Sequence, residues 1–243
     1  MTAIDRVAHC NRWRHRSLTE KVVFALGMLL LSVVFPPYPV AVIVLMVTMA
    51  ATLFGAGIPV RVWLACIIGP VGFLFTGAMF LAIQIDSSGV SLAPEGLFIA
   101  GNMMTRALAG FACFLFLALT TPTTDLLAGL RRSGVPPEIV EIALLMYRFI
   151  FLLADTSRSM SRAQASRLGH SSKWQQLRSL GLLVANLLPR AMDQGRRLEV
   201  GLAARGWTGN MRVLSRTVPL SIPTLILVIV IELVIAAAGV HFS

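Results

Sequence analysis

Two arginines end basic helical patterns just before glycines, Arg167 before Leu168-Gly169 and Arg205 before Gly206. Glycine readily takes the left-handed conformation that closes a helix, and a cation in the last turn complements the negative end of the helix dipole. The pattern is therefore typical of two well-capped surface helices. It equally predicts two guanidinium groups offered to a partner, because arginine binds carboxylates and carbonyls through a planar fork of donors.

The sequence does not indicate catalytic chemistry. It has no GxxxxGK[ST] loop, no HExxH, no GxSxG pattern and no zinc-type spacing of cysteine and histidine. His9, Cys10 and His15 are close in sequence, but their spacing matches no established metal-ligand pattern. Cys66 and Cys113 are too widely spaced to suggest a disulfide framework. We therefore predict that the chain is not an enzyme and binds no metal or cofactor of its own.

Two ionisable residues, Arg106 and Glu232, lie inside apolar runs. Ionisable groups at membrane depth face the protein interior and usually pair with one another. We therefore predict that Arg106 and Glu232 form an intramembrane structural pair. One arginine and one carboxyl group make a poor conduction pathway, so the chain does not resemble a transporter that works alone.

The composition is that of an integral membrane protein. Of the 243 residues, 56% are hydrophobic and only 13% are charged, and the mean hydropathy is +0.79. Soluble domains usually carry about 25% charged residues. The net charge of +10 is explained by cytoplasmic loops and anionic lipid headgroups rather than by nucleic acid.

Apolar runs predict an all-α integral membrane protein with about five transmembrane helices. A basic N-terminal segment precedes the first run, as in a signal peptide, but no small-residue cleavage site follows, so we expect this helix to be retained. The first two runs are shorter than the ~20 residues that a full crossing needs. The five runs are Val22–Phe35, Val40–Phe54, Val62–Ile85, Leu97–Leu119 and Val218–Val240.

Basic residues predict the orientation of these helices. Fourteen of the twenty-one Lys and Arg residues lie between Arg131 and Arg216, whereas the Asp86–Glu95 loop has none. By the positive-inside rule, the N-terminus and residues 120–216 are cytoplasmic. We expect a multi-pass protein of the bacterial inner membrane with membrane helices at 1–120, cytoplasmic coupling helices at 121–216 and a last membrane helix at 217–243.

The long cytoplasmic region predicts amphipathic helices. One pattern begins at Pro136-Pro137 and runs to about Arg167; a second runs over Lys173–Leu188, and Pro189 is expected to restart the helix. Such helices are too charged to cross a bilayer and too apolar to stay free in water. They should lie at the membrane surface or against partner proteins.

Two stretches resemble the transmembrane T component of energy-coupling factor (ECF) transporters, in particular the CbiQ/NikQ branch for cobalt or nickel uptake. The stretches are LALTTPTTDLLAGLRRSGVPPEIVEIALLMYRFIFLLADTSRSMSRAQASR and LLPRAMDQGRRLEVGLAARGWTGN. The similarity covers about residues 100–212, and the first hundred residues match in hydropathy and topology alone. Its main points are Thr120-Thr121-Pro122, Leu130, Pro136-Pro137, Tyr147-Arg148-Phe149 and the two arginine motifs.

The resemblance implies a scaffold without an ATPase of its own. Two arginine motifs of a T component dock into grooves of ABC-type ATPase subunits. The scaffold also holds a substrate-binding membrane subunit, CbiM/NikM-like in this branch, that supplies the metal ligands; a small accessory membrane subunit is compatible with this arrangement. Carried over, the motifs are Ser166-Arg167-Leu168, which keeps only the arginine of the family pattern, and Ala204-Arg205-Gly206, which fits it.

Other functions stay open at this point. A self-sufficient secondary transporter would show an inverted repeat with interrupted helices in both halves, and none is evident. An intramembrane enzyme would need a nucleophile–base pair or metal ligands at bilayer depth. A T component for another micronutrient, such as a vitamin, is a further alternative, and the sequence does not separate cobalt from nickel.

Overall fold

The computed structural model describes residues 3–86, 89–92, 94–206 and 220–241. A short 3₁₀ helix, Arg12–His15, follows α1, and π-helical turns at Pro37–Ala41 and Ala51–Gly55 flank α3. The α-helices in these ranges are α1 Ala3–Cys10, α2 Leu18–Val34, α3 Val42–Ala50, α4 Val60–Ala82, α5 Pro94–Thr120, α6 Thr123–Arg132, α7 Pro137–Ser166, α8 Lys173–Ala203 and α9 Ile222–His241.

A β-hairpin joins α4 to α5. Its strands, β1 Ile83–Asp86 and β2 Gly89–Leu92, are antiparallel. Their sequences, IQID and GVSL, contain the alternation of apolar and polar residues that suits a strand. The predicted span therefore ends at Ala82 rather than at Ile85, and the predicted Asp86–Glu95 loop contains the last residue of β1 and all of β2.

The apolar helices confirm the predicted all-α membrane fold with about five spans. Helix α2 has 17 residues and contains most of the first predicted span. Four further helical stretches are long and apolar enough to cross a membrane: Tyr38–Gly55, Val60–Leu81, Gly96–Thr120 and Ile222–His241. The chain is thus a multi-pass membrane protein.

The chain divides into two compact units. The first, which we call the membrane unit, comprises Met1–Gly129 and Arg216–Ser243. The second, which we call the hairpin unit, is Leu130–Ser215 and consists mainly of α7 and α8. The division falls inside α6, so the chain leaves the membrane unit through this helix and returns to it just before α9.

Helix α5 is central in the membrane unit, where it packs against α2, α3 and α4. Phe116 of α5 is fully buried, and its ring makes edge contacts with Trp13 at 5.4 Å and with Phe24 at 4.9 Å between centroids. Aromatic rings prefer this arrangement because the positive edge of one faces the negative face of the other. The same helix thereby joins the N-terminal segment to the membrane helices.

Helices α2 and α9 run parallel. Gly27 of α2 faces Glu232 of α9, and farther along both helices a Cβ atom at Gly239 would lie 2.7 Å from the ring of Phe35. Residue numbers therefore increase together along the contact. In a chain with five alternating spans, the first and last membrane helices cross the membrane in the same direction. The parallel contacts of α2 and α9 agree with this expectation.

The hairpin unit contains a long uninterrupted helix. Helix α8 runs for 31 residues with Pro189 inside it, so the prediction that Pro189 restarts the helix was wrong. Proline lacks one backbone donor, but the hydrogen bonds of the flanking turns can carry the helix past it. The 31 residues span about 46 Å at 1.5 Å per residue.

Candidate functional site: two exposed arginine turns and a buried polar clasp

The first predicted motif forms the turn after α7. The helix ends at Ser166, and the backbone N–H of Arg167 donates to the Gln164 carbonyl at 3.1 Å. Leu168 takes the left-handed conformation, with φ of 62°. The expectation that Gly169 closes this helix was therefore wrong: Leu168 adopts the conformation that its side chain disfavours.

Gly169 is needed for space rather than for its φ angle. Its N–H donates to the Gln164 carbonyl at 2.9 Å, and the Ser179 hydroxyl donates to its carbonyl at 3.0 Å. A Cβ atom at Gly169 would lie 2.8 Å from both the Gln164 carbonyl oxygen and Ser179 Oγ. In addition, Gln164 Nε2 donates to the Ser179 carbonyl at 3.1 Å. This close approach fixes the start of α8 against the end of α7.

The second predicted motif forms the turn after α8. The N–H of Arg205 donates to the Leu202 carbonyl at 3.1 Å, and that of Gly206 donates to the Ala203 carbonyl at 3.0 Å. Gly206 takes the left-handed conformation, with φ of 67°. Ala204, Arg205 and Gly206 are all exposed, and the small neighbours leave room for a surface to approach the guanidinium group.

The two arginine turns lie at opposite ends of α8. Ser166, Arg167 and Leu168 are exposed, as are the three residues of the second turn. Within the described ranges, neither Arg167 nor Arg205 forms an ion pair or a side-chain hydrogen bond. Two permanently charged groups with their donors unused can bind carboxylates or carbonyl oxygens of another protein.

The predicted pair of Arg106 and Glu232 is not formed. Arg106 donates from Nη2 to the Phe35 carbonyl at 2.8 Å, whereas the Glu232 carboxyl group packs against Gly27. Phe35 and Gly27 are eight residues apart along α2, which is about 12 Å in a helix. The sequence shows that both groups lie in apolar runs but not at which level the helices place them.

A buried polar cluster in the membrane unit was not predicted. We call Asn11, Lys21 and Thr120 the polar clasp. Asn11 Nδ2 donates to the carbonyls of Leu119 at 3.1 Å and Thr120 at 3.2 Å, and Lys21 Nζ donates to the Thr120 carbonyl at 2.9 Å. The last carbonyls of a helix have no partner within it. The polar clasp supplies such partners to the end of α5.

The residues of the polar clasp are buried. Lys21 is only 2% exposed, and Thr120 is completely buried. Burial lowers the pKa of Lys21 to about 8, although the nearby carboxylates of Asp125 and Glu20 act in the opposite direction. Lys21, which precedes the apolar run, is thus buried inside the protein and caps the end of α5. The capped end lies immediately before Thr121-Pro122, which connect α5 to α6.

Glu20 holds the start of α9 in a similar way. Ser17 is the N-cap of α2, and its hydroxyl accepts from the Glu20 N–H at 3.4 Å and donates to Glu20 Oε1 at 2.9 Å. Glu20 Oε1 also accepts from the Ser221 N–H at 2.8 Å. Burial raises the pKa of Glu20, but the hydrogen bonds from Ser221 and Ser17 outweigh this and leave the pKa below its usual value.

The N-terminal segment therefore holds the end of α5 and the residue that precedes α9, both within the membrane unit. Asn11 and Lys21 hold the end of α5, from which α6 follows, and Glu20 holds Ser221, from which α9 follows. The sequence feature that could have indicated the polar clasp is Lys21, which follows Glu20 at the edge of an apolar run. Its partners lie about a hundred residues away, so local patterns could not identify them.

Comparison with known proteins identifies the family. The model of a family described as CbiQ, cobalt transport protein, matches residues 10–217. The chain belongs to the CbiQ family. The match includes both arginine turns and the polar clasp, and it confirms the resemblance that the sequence motifs indicated.

Individual relatives agree with this assignment. The chain is 51% identical over 241 residues to the cobalt transport protein CbiQ of Rhodobacter capsulatus, covering 99% of this chain and 98% of the relative. It is 26% identical to the CbiQ of Salmonella typhimurium over 88% of this chain and the whole relative. A putative fused cobalt transport protein CbiMQ of Methanocorpusculum labreanum is also 26% identical, over 86% of this chain but 37% of the fused protein.

Proposed function

We propose that this chain is the transmembrane coupling component of an ATP-driven, ECF-type cobalt uptake transporter. The observation that carries the proposal is the pair of exposed arginine turns at the two ends of α8, neither of which has an ion-pair partner among the described residues. Residues 121–216 form the coupling region. The chain itself does not hydrolyse ATP, and it transmits the motion of its ATPase partners to a substrate-binding membrane subunit.

Two kinds of partner follow from the proposal. ABC-type ATPase subunits bind Ser166-Arg167-Leu168 and Ala204-Arg205-Gly206, because a guanidinium group at a helix end reaches far from its own backbone. A CbiM-like membrane subunit binds the cobalt ion. Its presence is supported by the relative named as a CbiMQ fusion, in which this chain matches only 37% of the length.

The proposed ion is cobalt, since the matching family and the named CbiQ relatives are described as cobalt transport proteins. Nickel is the competing ion, because the ligands that select the ion belong to the CbiM-like subunit. The proposed location is the bacterial inner membrane with the N-terminus in the cytoplasm. This orientation is supported by the fourteen basic residues between Arg131 and Arg216.

The proposed mechanism uses the continuous helix α8, which joins the two arginine turns. Closure of the ATPase pair on binding ATP pulls the two arginine turns toward the ATPase dimer axis. The motion passes through α7 and α8 to the membrane subunit that holds the ion, which then tilts and releases it. Crosslinks from positions 167 and 205 to the ATPase should change in yield with nucleotide, and yields that are the same with and without ATP would contradict the moving step.

The proposal is tested by co-expression. The tagged chain, a CbiM-like subunit and the ATPase subunits are purified together in mild detergent and identified by mass spectrometry, and radioactive cobalt uptake is measured with and without the ATPase. We expect a stable complex and uptake that requires ATP hydrolysis. Cobalt uptake by the chain alone in proteoliposomes would instead identify a secondary transporter.

A further inference from the structure

The membrane unit has an apolar groove with one carboxyl group in it. The groove lies between α2 and α9 and has a volume of ≈ 340 Å³. Its lining is apolar except for Glu232, and it includes the small residues Gly27 and Ala236. Leu30, Leu31, Val34, Phe35, Ile229 and Leu233 complete the lining.

One oxygen of the carboxyl group in this groove has no partner among the residues that the structure describes. Glu232 Oε1 is buried and makes no hydrogen bond to any described residue. Arg106, the cation that the sequence suggested for it, donates instead to the Phe35 carbonyl. A buried polar group without a hydrogen bond costs several kcal/mol in hydrocarbon, and no described residue donates to this acceptor.

The depth of Glu232 limits what can supply that donor. Glu232 is the eleventh of the 20 residues of α9, so it lies about 15 Å from either end of the helix. The hydrocarbon core of a bilayer is about 30 Å thick. Glu232 is therefore near the midplane, where lipid headgroups do not reach. Another membrane-embedded protein segment is the remaining source of a donor.

The rim of the groove faces outward. Leu30 is 59% exposed, Val34 is 71% exposed and Leu233 is 62% exposed. Small residues beside a polar group are the features by which membrane helices associate, because they allow close approach and an interhelical hydrogen bond. A second groove, of ≈ 450 Å³ between α4 and α5, has no ionisable residue in its lining, so the membrane unit offers a built-in comparison.

We propose that the groove between α2 and α9 is the docking site for a transmembrane helix of the CbiM-like subunit, which carries a hydrogen-bond donor to Glu232. This inference rests on the proposed function and adds to it the place of contact. Two observations point to this occupant: the carboxyl oxygen at the midplane has no partner among the described residues, and in the CbiMQ fusion a longer polypeptide is covalently joined to a chain of this kind.

The direct test is photo-crosslinking in the full complex. A benzoylphenylalanine is placed at Leu233, on the rim of the α2–α9 groove, or at Met79, in the α4–α5 groove. The complex of this chain with the CbiM-like subunit and the ATPase is irradiated in membranes. We expect the probe at position 233 to form an adduct with the CbiM-like subunit, and the probe at position 79 to form none.

Substitutions then test the role of the carboxyl group. Glu232→Leu removes the hydrogen bond, whereas Glu232→Gln keeps an acceptor at the same place. We expect Glu232→Leu to weaken retention of the CbiM-like subunit by about five- to thirtyfold, the factor for one interhelical hydrogen bond in a bilayer, and Glu232→Gln to restore most of it. The ATPase subunits, which bind the exposed turns, should be retained by both variants.

The outcomes separate this inference from the proposed function. An adduct from Met79 without one from Leu233, or equal retention by Glu232→Leu and wild type, overturns the groove assignment while the coupling function stands. An adduct between two copies of this chain from Leu233 also overturns it. A complex that contains no CbiM-like subunit under any condition contradicts the proposed function itself.

Discussion

The two units treat the ends of their helices in opposite ways. In the membrane unit, the last carbonyls of α5 are covered by Asn11 and Lys21, and all of these groups are buried. In the hairpin unit, the turns after α7 and α8 expose Arg167 and Arg205, and neither guanidinium group has a partner among the described residues. The carbonyls at the end of α5 are thus satisfied within the membrane unit, whereas the arginine turns of the hairpin unit retain binding capacity for another protein.

The long helix α8 of the hairpin unit also leaves most of its large apolar side chains exposed. Ser179 and Leu183 are the residues of α8 that are buried. The large apolar side chains that remain exposed on α8 are Trp174, Leu177, Leu180, Leu182, Val184, Leu188, Met192 and Val200. An amphipathic helix with so much apolar surface is expected to cover it with a partner or a membrane surface.

The largest effect on stability is expected at the polar clasp. Asn11→Leu removes the donor to the Leu119 and Thr120 carbonyls, and we expect it to destabilise the membrane unit by about 2–3 kcal/mol, because the buried Leu119 carbonyl loses its side-chain donor and the Thr120 carbonyl retains only Lys21. The free energy of unfolding is measured in detergent by denaturant titration. The matched control is Asn186→Leu in α8, an exposed asparagine that donates to the Leu182 carbonyl, which should change stability by no more than about 0.5 kcal/mol. Equal effects would remove the contrast between the units.

A smaller loss is expected at the turn between α7 and α8. Gly169→Ala places a Cβ atom against the Gln164 carbonyl and Ser179, and we expect a cost of about 1–2 kcal/mol. Hydrogen exchange at the Ser179 amide reports this loss. Gly195→Ala is the control, because its Cβ atom meets nothing within 4 Å and should stabilise α8 by about 0.5–1 kcal/mol. Unchanged exchange in Gly169→Ala would show that the turn has room to adjust.

The smallest effect is expected at Leu168, and its sign is opposite. Leu168 has φ of 62° and is 75% exposed. Asparagine tolerates this conformation better, so Leu168→Asn should stabilise the hairpin unit by about 0.5–1 kcal/mol in the free chain. If the strained leucine is kept for docking, the same variant should bind the ATPase less tightly. A variant that is less stable, or that binds more tightly, would contradict this explanation.

The sequence predicted what depends on local pattern. Apolar length identified the membrane helices, and Gly206 was correctly expected to take the left-handed conformation. Pro189 was given too much weight, because the helix on both sides of it can continue. Leu168 rather than Gly169 closes α7 in the left-handed conformation, although local propensity favours glycine there. Gly169 is instead required because a Cβ atom would not fit beside Ser179.

Contacts between distant segments could not be predicted in this way. The pairing of Arg106 with Glu232 failed because the register of α2 against α9 places Glu232 at Gly27, about two helical turns from Phe35. The polar clasp joins residues 99 and 109 positions apart, Lys21 and Asn11 to Thr120. Charge and hydropathy show that such residues need partners, but only the packed helices show which ones.

The central claim is that the exposed arginine turns are the binding points of the hairpin unit. The most direct measurement is the affinity of the purified ATPase for the wild-type chain, Arg167→Glu, Arg205→Glu and the control Arg196→Glu, which changes an exposed arginine inside α8. We expect Arg167→Glu and Arg205→Glu to bind about thirtyfold more weakly or worse, a loss of about 2 kcal/mol, with unchanged unfolding temperatures and normal binding by Arg196→Glu. Binding of Arg205→Glu equal to that of the wild type, or an equal loss in Arg196→Glu, would contradict the claim.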